Sequence, residues 1–296
     1  MTPTPATAPA CAVDVLSLPR LGRWRAVRLL GEGNFTRVYQ ARPVDAPPEA
    51  PADYALKVAA PRHEDERTAH AMLRREAGVA RQVSHAHLVS VLGAQLDESP
   101  GYLVLPYLRG VTLGAVLASG RLPVVPHLLW IARQTAEALA ALHAQGWLHG
   151  DVKPDNILIA PNGHVTLVDL GFARRTAERT GEYTLMGTPR YLAPECLVPG
   201  RAGDGRADMY SLGVLLFESL TGRVPFPAER EQDLALAHLR EKPADVRTHV
   251  PQLSMRVSRL VRRLLAKEPL RRPSASETIE LLAAIEVETL HQRAAA

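Results

Sequence analysis

Between His149 and Leu158 the chain reads His-Gly-Asp-Val-Lys-Pro-Asp-Asn-Ile-Leu, which sets a carboxylate at Asp151, a cation at Lys153 and an amide at Asn156 on one short stretch. Pro154 stiffens that stretch, because its ring fixes φ and removes a donor. The apolar run Ile157-Leu158-Ile159 follows and reads as a short buried strand. A second short strand, Val165-Thr166-Leu167-Val168, leads to another carboxylate, Asp169. Carboxylate and amide oxygens suit Mg²⁺, which keeps several waters and takes its remaining ligands from phosphates. An acid, a cation, an amide and a second acid on loops beside two strands therefore form a set suited to a metal-bound phosphate.

Three earlier groups fit the same chemistry, each with a plainer reading. Gly31-Glu32-Gly33-Asn34-Phe35 joins two strand-like runs, and a Gly-rich turn lets backbone N–H groups approach a phosphate. Taken alone, Gly-X-Gly in a hairpin is more often only a turn. Lys57 lies in the apolar run Tyr54 to Val58, where a lysine ordinarily points to solvent. Glu76 lies near the middle of a charged helical segment, His63 to Val83, and most helical glutamates are solvated.

The elements that must position these groups fall into two blocks. Trp24 to Leu30, Gly31 to Tyr39, Tyr54 to Val58, Leu88 to Leu96 and Tyr102 to Leu105 read as strands, giving a five-stranded antiparallel sheet with one helix over residues 20–105. Pro43 to Asp53 holds too many prolines for a ladder and reads as a loop. Pro106 to Gly110 is a linker, and residues 106–290 are mainly helical. Their helices are Thr112 to Ala118, Pro126 to Gln145, Asp208 to Leu220, Glu229 to Arg240, Leu253 to Ala266 and Ser274 to Val287. In the second of these, Leu128, Ile131, Thr135, Ala138, Leu139 and Leu142 recur at helical spacing, with Gly146 as the stop. Trp130 and Trp147 read as packing, and Cys196 as a small buried hydrophobe. Residues 1–19, rich in Thr, Pro and Ala, read as a disordered tail, and 291–296 as a second tail. The fold class is α+β and bilobal, with the candidate site expected at the junction.

Taken in order, these motifs resemble those of protein kinases from about Trp24 to Val287. His149 to Leu158 resembles the catalytic loop, and Asp169-Leu170-Gly171 resembles the metal-binding Asp-Phe-Gly, with Leu in place of Phe. Gly187-Thr188-Pro189-Arg190-Tyr191-Leu192-Ala193-Pro194-Glu195 looks like the end of an activation segment. Asp208 matches the Asp that holds the catalytic-loop backbone, and Arg272 the Arg that pairs with Glu195.

The resemblance implies ATP and Mg²⁺ (or Mn²⁺) as cofactors and a distinct role for each residue. Asp151 would accept the proton of the substrate hydroxyl, and Lys153 would neutralise charge on the moving phosphoryl. Asn156 and Asp169 would hold the metal. Lys57, fixed by Glu76, would bind the α- and β-phosphates, covered by Gly31, Gly33 and the backbone through Phe35. Val38, Ala55 and Leu158 would sandwich the adenine, Leu105 would be the gatekeeper, and the Pro106 carbonyl and Leu108 N–H would be the hinge hydrogen bonds. Lys153 and the Gly-Thr-Pro-X-Tyr-X-Ala-Pro-Glu segment are similar to the serine/threonine class, so protein Ser/Thr hydroxyls are the implied acceptors.

Three positions depart from the family pattern. Thr36 replaces the third glycine of the Gly-rich loop, Leu170 replaces Phe, and Gly150 replaces the Arg of His-Arg-Asp. That Arg commonly pairs with an activation-loop phosphate, so activity is expected to depend little on such a phosphate. Thr176, Thr180, Tyr183 and Thr184 remain candidate autophosphorylation sites. His-Gly-Asp is also similar to aminoglycoside phosphotransferases, which leaves a small-molecule kinase as one alternative and a pseudokinase scaffold as another.

Composition excludes several classes. The 296 residues carry a net charge of +4, and arginine is spread rather than clustered, so nucleic-acid binding has no support. Two cysteines, Cys11 and Cys196, are too few for a disulfide framework or a zinc site. No apolar run of membrane-spanning length occurs, and the N-terminus lacks a basic region followed by an apolar core. A cytoplasmic protein of the bacterial, eukaryotic-like kinase type, without a sensor domain or membrane anchor, is the expectation.

Overall fold

The computed structural model describes residues 18–60, 66–176, 187–198, 200 and 203–294. Most of the N-terminal tail expected to be disordered, together with Thr180, Tyr183 and Thr184, lies outside the described residues. The chain divides into two compact units, one taking residues up to His70 with Leu92–Tyr107, the other Ala71–Val91 with the chain from Leu108 on.

The first unit is built on an antiparallel sheet. Its strands are β1 (Arg20–Leu21), β2 (Trp24–Glu32), β3 (Thr36–Pro43), β4 (Tyr54–Ala59), β5 (Gly93–Gln95) and β6 (Tyr102–Pro106), in spatial order β1-β2-β3-β4-β6-β5. The sheet therefore has six strands rather than the expected five. The addition is β1, which pairs Leu21 with Trp24 across a turn too tight for its two residues to stand out in the sequence. Alternation of side chains buries Trp24, Ala26, Tyr39, Ala41, Leu56, Val58 and Val104 on one face as a common core.

The expected strand Leu88 to Leu96 shortens to β5. Leu88 and Val89 are buried and turn to the second unit instead, where Leu88 bridges Leu167 and the Val89 N–H donates to the Leu167 carbonyl at 3.0 Å.

Helix α1 (Glu66–Ala80) precedes that run. The second unit continues with β7 (Val111–Thr112), α2 (Leu113–Ala118) and α3 (Val125–Ala144), then β8 (Trp147–Leu148), β9 (Ile157–Ile159), β10 (Val165–Leu167) and β11 (Arg174–Arg175). It closes with α4 (Arg206–Thr221), α5 (Glu231–Arg240), α6 (Met255–Leu264) and α7 (Ala275–Ala294). The stripe on α3 is core as its spacing predicts, and α4 is buried nearly all round. Trp130 departs from expectation: it lies on the outer side of α3, 46% exposed, with Arg133 over its ring. No described helix is long and apolar enough to cross a membrane.

Candidate active site

Within the first unit, strand register lines up the residues expected to meet a nucleotide. Gly31 pairs with Val38 and Val38 with Lys57, so the three stand in a row across β2, β3 and β4. Ala55 faces Leu105 across β4 and β6. Lys57 is 5% exposed, against the ordinary solvent-facing reading of a strand lysine. The Gly33 N–H donates to the Thr36 carbonyl at 2.9 Å and closes the turn that carries Phe35. A Cβ at Gly31 would meet nothing within 4 Å, and one at Gly33 only the Thr36 carbonyl at 3.7 Å. Packing does not demand either glycine; what their lack of side chains keeps open is the space before the turn. Pro106 ends β6, and the following Tyr107 N–H is held by the Asp53 carbonyl at 2.8 Å.

Within the second unit, Asp151 is the centre of a closed network. Its carboxylate is buried, and Oδ1 accepts from both the Thr188 N–H (2.8 Å) and the Thr188 hydroxyl (2.7 Å). Oδ2 lies 2.7 Å from Lys153 Nζ and accepts from Asn156 Nδ2 at 3.1 Å. Lys153 also donates to Thr188 Oγ1 at 2.8 Å, and Asn156 Nδ2 to the Asp151 carbonyl at 2.7 Å. A buried charge is stable only when paired and hydrogen-bonded, and here four donors share one carboxylate.

Asp208 holds the backbone that delivers Asp151. Its Oδ2 accepts from the His149 N–H and faces His143 Nε2, at 2.9 and 2.8 Å, and its Oδ1 accepts from the Gly150 N–H at 2.9 Å. Complete burial alone raises the pKa of this carboxyl; the His143 hydrogen bond, the nearby His143 and His149 rings and the Gly150 N–H outweigh it and hold it below the usual value. Gly150 has φ +79°, and a Cβ there would come within 2.6 Å of the Phe172 carbonyl. A Cβ at Gly187, φ +111°, would come as close to the Gly150 carbonyl, so its absence lets the segment carrying Thr188 lie against the loop carrying Asp151.

The pair β9–β10 brings Asn156 and Asp169 together. Ile157 pairs with Leu167, and the Val168 N–H donates to the Asn156 carbonyl at 2.9 Å, one residue before Asp169. Asp169 adopts φ +67°, sparsely populated outside glycine, and its Oδ1 accepts from the Gly171 N–H at 3.2 Å. Both amide hydrogens of Asn156 serve Asp151, so its carbonyl oxygen is the atom with lone pairs to offer a cation. One amide oxygen and one carboxylate beside it are hard oxygen donors, a set that fits Mg²⁺ sharing its remaining positions with water and phosphate. Leu158 sits in β9, and Glu76 is buried in α1.

The segment beyond Thr188 is anchored by Arg272. Its guanidinium makes a two-pronged pair with Glu195, 2.6 and 2.8 Å, and donates to the carbonyls of Ala266, Arg206 and Lys267. Arg272 also lies over the Tyr210 ring.

Two groups were not singled out by sequence. Thr188 lay inside a quoted motif, yet only the fold shows its hydroxyl between Asp151 and Lys153; a hydroxyl beside glycine is too common to mark itself. His238, buried with Tyr210 and Phe226, forms a cluster with the half-buried Lys267. Lys267 Nζ lies 4.1 Å from the Phe226 ring and donates to the His238 carbonyl at 2.6 Å, and the Tyr210 hydroxyl is 3.0 Å from His238 Nδ1. Burial, then Lys267, lowers the His238 pKa to about 4. Cys196 is only partly buried as a residue, but burial pushes its thiol up to about 11, which keeps it protonated.

Over residues 24–281 the chain matches the family described as the protein kinase domain. It is 30% identical over 262 residues to the serine/threonine-protein kinase PrkC of Bacillus subtilis, an alignment covering 88% of this chain and 40% of that protein. It is 32% identical over 274 residues to the probable serine/threonine-protein kinase pknA2 of Bifidobacterium longum, covering 89% and 35%. With the serine/threonine-protein kinase PknJ of Mycobacterium tuberculosis the identity is 34% over 270 residues, covering 88% and 45%. The chain thus spans less than half the length of these relatives.

Proposed function

The chain belongs to the protein kinase domain family, and we propose that it is a serine/threonine protein kinase that moves the γ-phosphoryl of ATP to a Ser or Thr hydroxyl of a protein. The observation that carries the proposal is the Asp151 carboxylate held jointly by Lys153, Asn156 and Thr188. A phosphoryl transfer asks for a positioned acceptor and neutralised charge rather than covalent help from the protein. Asp151 orients the acceptor hydroxyl and takes its proton, with Lys153 supplying positive charge beside it. Thr188 fixes both, and Asn156 holds Asp151 from the other side.

Protein kinases generally use ATP with Mg²⁺, and Asn156 and Asp169 are the residues assigned to the metal here, Mn²⁺ being an acceptable substitute. A metal held by these two residues would supply positive charge to the phosphates. Lys57, with Glu76, takes the α- and β-phosphates; Gly31, Gly33 and Phe35 cover them. Val38, Ala55 and Leu158 hold the adenine, Leu105 is the gatekeeper, and Pro106 and Leu108 supply the hinge hydrogen bonds. We place the N-lobe at 20–105 and the hinge and C-lobe at 106–290, in a protein of the cytoplasm whose Thr176, Thr180 and Thr184 are autophosphorylation candidates. Gly150 in place of Arg supports activity with little dependence on such phosphates.

Transfer of labelled γ-phosphate from Mg-ATP tests the proposal, with a generic protein and a panel of aminoglycosides as acceptors. Label on protein supports it; label on the small molecules alone would assign the chain to small-molecule phosphotransfer, and no transfer with ATP bound would assign it to scaffolding.

A further inference from the structure

The short strand β11 begins the segment that runs from Asp169-Leu170-Gly171 toward Thr188, and its two arginines are fastened on opposite sides. Arg174 is 8% exposed and donates to Cys196 Sγ at 3.0 Å, tying the start of the segment to the turn around Glu195. Arg175, one residue on and therefore on the other face, lies with its guanidinium 4.2 Å from the centre of the Trp147 ring. It donates to Gln82 Oε1 at 2.5 Å and to the Gln145 carbonyl at 2.8 Å. Trp147 Nε1 reaches the same Gln82 oxygen at 3.3 Å. Gln82 is aimed from the turn just past α1, where its Nε2 donates back to the Gly78 carbonyl at 3.3 Å.

These contacts cap a minimal ladder. Arg175 pairs with Trp147 and Arg174 with Leu148, and the Thr176 N–H donates to the Gly146 carbonyl at 3.0 Å. Two residues per strand are too few to hold an antiparallel pair without side-chain support. Strand β8 leads within three residues to Asp151, so what holds β11 on β8 also holds the segment's beginning beside the catalytic loop. At Gly150, where an Arg would face a phosphate, the backbone offers no such side chain and a Cβ would strike the Phe172 carbonyl.

We infer that Gln82, Trp147 and Arg175 form a permanent latch that keeps the start of the activation segment docked on the catalytic loop without phosphorylation. The latch rests on the kinase reading and adds its regulation. Its three members are positioning residues, since none touches the reacting groups. Arginine suits the task because one planar group stacks on the indole and donates along its edge at once.

The test compares wild type, Arg175→Ala, Gln82→Ala and Arg175→Lys after phosphatase treatment. Protein phosphorylation rates, the KM for ATP and hydrogen exchange of the Thr176 amide are measured together. Phosphatase-treated wild type keeps its rate. Treated Arg175→Ala loses about tenfold in kcat with the KM for ATP unchanged, and its Thr176 amide exchanges about tenfold faster. Gln82→Ala falls in the same direction, and Arg175→Lys, which keeps the cation over the ring but not the fork, lies between. Wild type that transfers phosphate but is inactivated by phosphatase would overturn the latch alone. So would Arg175→Ala with unchanged rate and exchange. Wild type that transfers nothing before treatment would overturn the kinase reading and the latch with it.

Discussion

Thr188 and Asp151 are joined twice, by the Thr188 N–H at 2.8 Å and by its hydroxyl at 2.7 Å, both to Asp151 Oδ1. The hydroxyl also accepts from Lys153, so a residue 37 positions along the chain fixes the distance between the acid and its cation. Removing the hydroxyl leaves Lys153 Nζ and Asp151 Oδ1 each short of a partner. Thr188→Ala should lower kcat by about 10–100-fold with the KM for ATP unchanged, and Thr188→Ser should recover most of it. Steady-state kinetics with a protein acceptor checks this; a change confined to the KM for ATP would contradict it.

Asp208 accepts two backbone N–H groups and faces His143 while buried. Asp208→Ala leaves these donors unpaired in the interior and loosens the backbone just before Asp151. A loss of about 2–4 kcal/mol in urea denaturation is expected, with a fall in kcat measurable at temperatures where the variant stays folded.

The Arg272–Glu195 pair is predicted to matter for folding rather than for chemistry. Arg272 has no exposed side-chain surface, and its guanidinium donates five hydrogen bonds. Arg272→Ala strands the Glu195 carboxylate in the interior and should cost about 3–5 kcal/mol in denaturant titration. Glu195→Gln, which keeps an acceptor, should cost less.

His238 sets an acid limit to stability. Burial lowers its pKa to about 4 from 6.5, so between those values the unfolded chain binds the extra proton and the folded chain does not. Its contribution is complete above pH 6.5 and is lost as the pH falls from 6.5 toward 4. His238→Gln should flatten the stability profile in that window by on the order of 2 kcal/mol. Thermal melts of both proteins from pH 4 to 7 give the comparison.

Much of this was legible in the sequence because the groups lie on short local motifs whose spacing survives folding. Asp151, Lys153 and Asn156 share one loop, and the helical stripe of α3 repeats in plain view. What was missed depends on pairs distant in the chain. The sixth strand is two residues long, below the length at which alternation can be read. Thr188 gains its role only when Gly187 and Gly150 let two backbone segments touch. His238 and Lys267 belong to different helices and turns, and nothing in either's neighbourhood announces their contact. Leu88 and Val89 read as strand because they are apolar, but their partner is Leu167 rather than the first sheet.

The most direct measurement is acid hydrolysis of protein labelled from γ-labelled Mg-ATP, run for wild type and for Asp151→Asn. The proposed function predicts labelled phosphoserine or phosphothreonine with wild type, and a loss of about a thousandfold or more in rate with the variant, because the residue proposed to orient the acceptor and take its proton is gone. Label that persists with Asp151→Asn at the wild-type rate, or that never appears on Ser or Thr, would contradict the assignment.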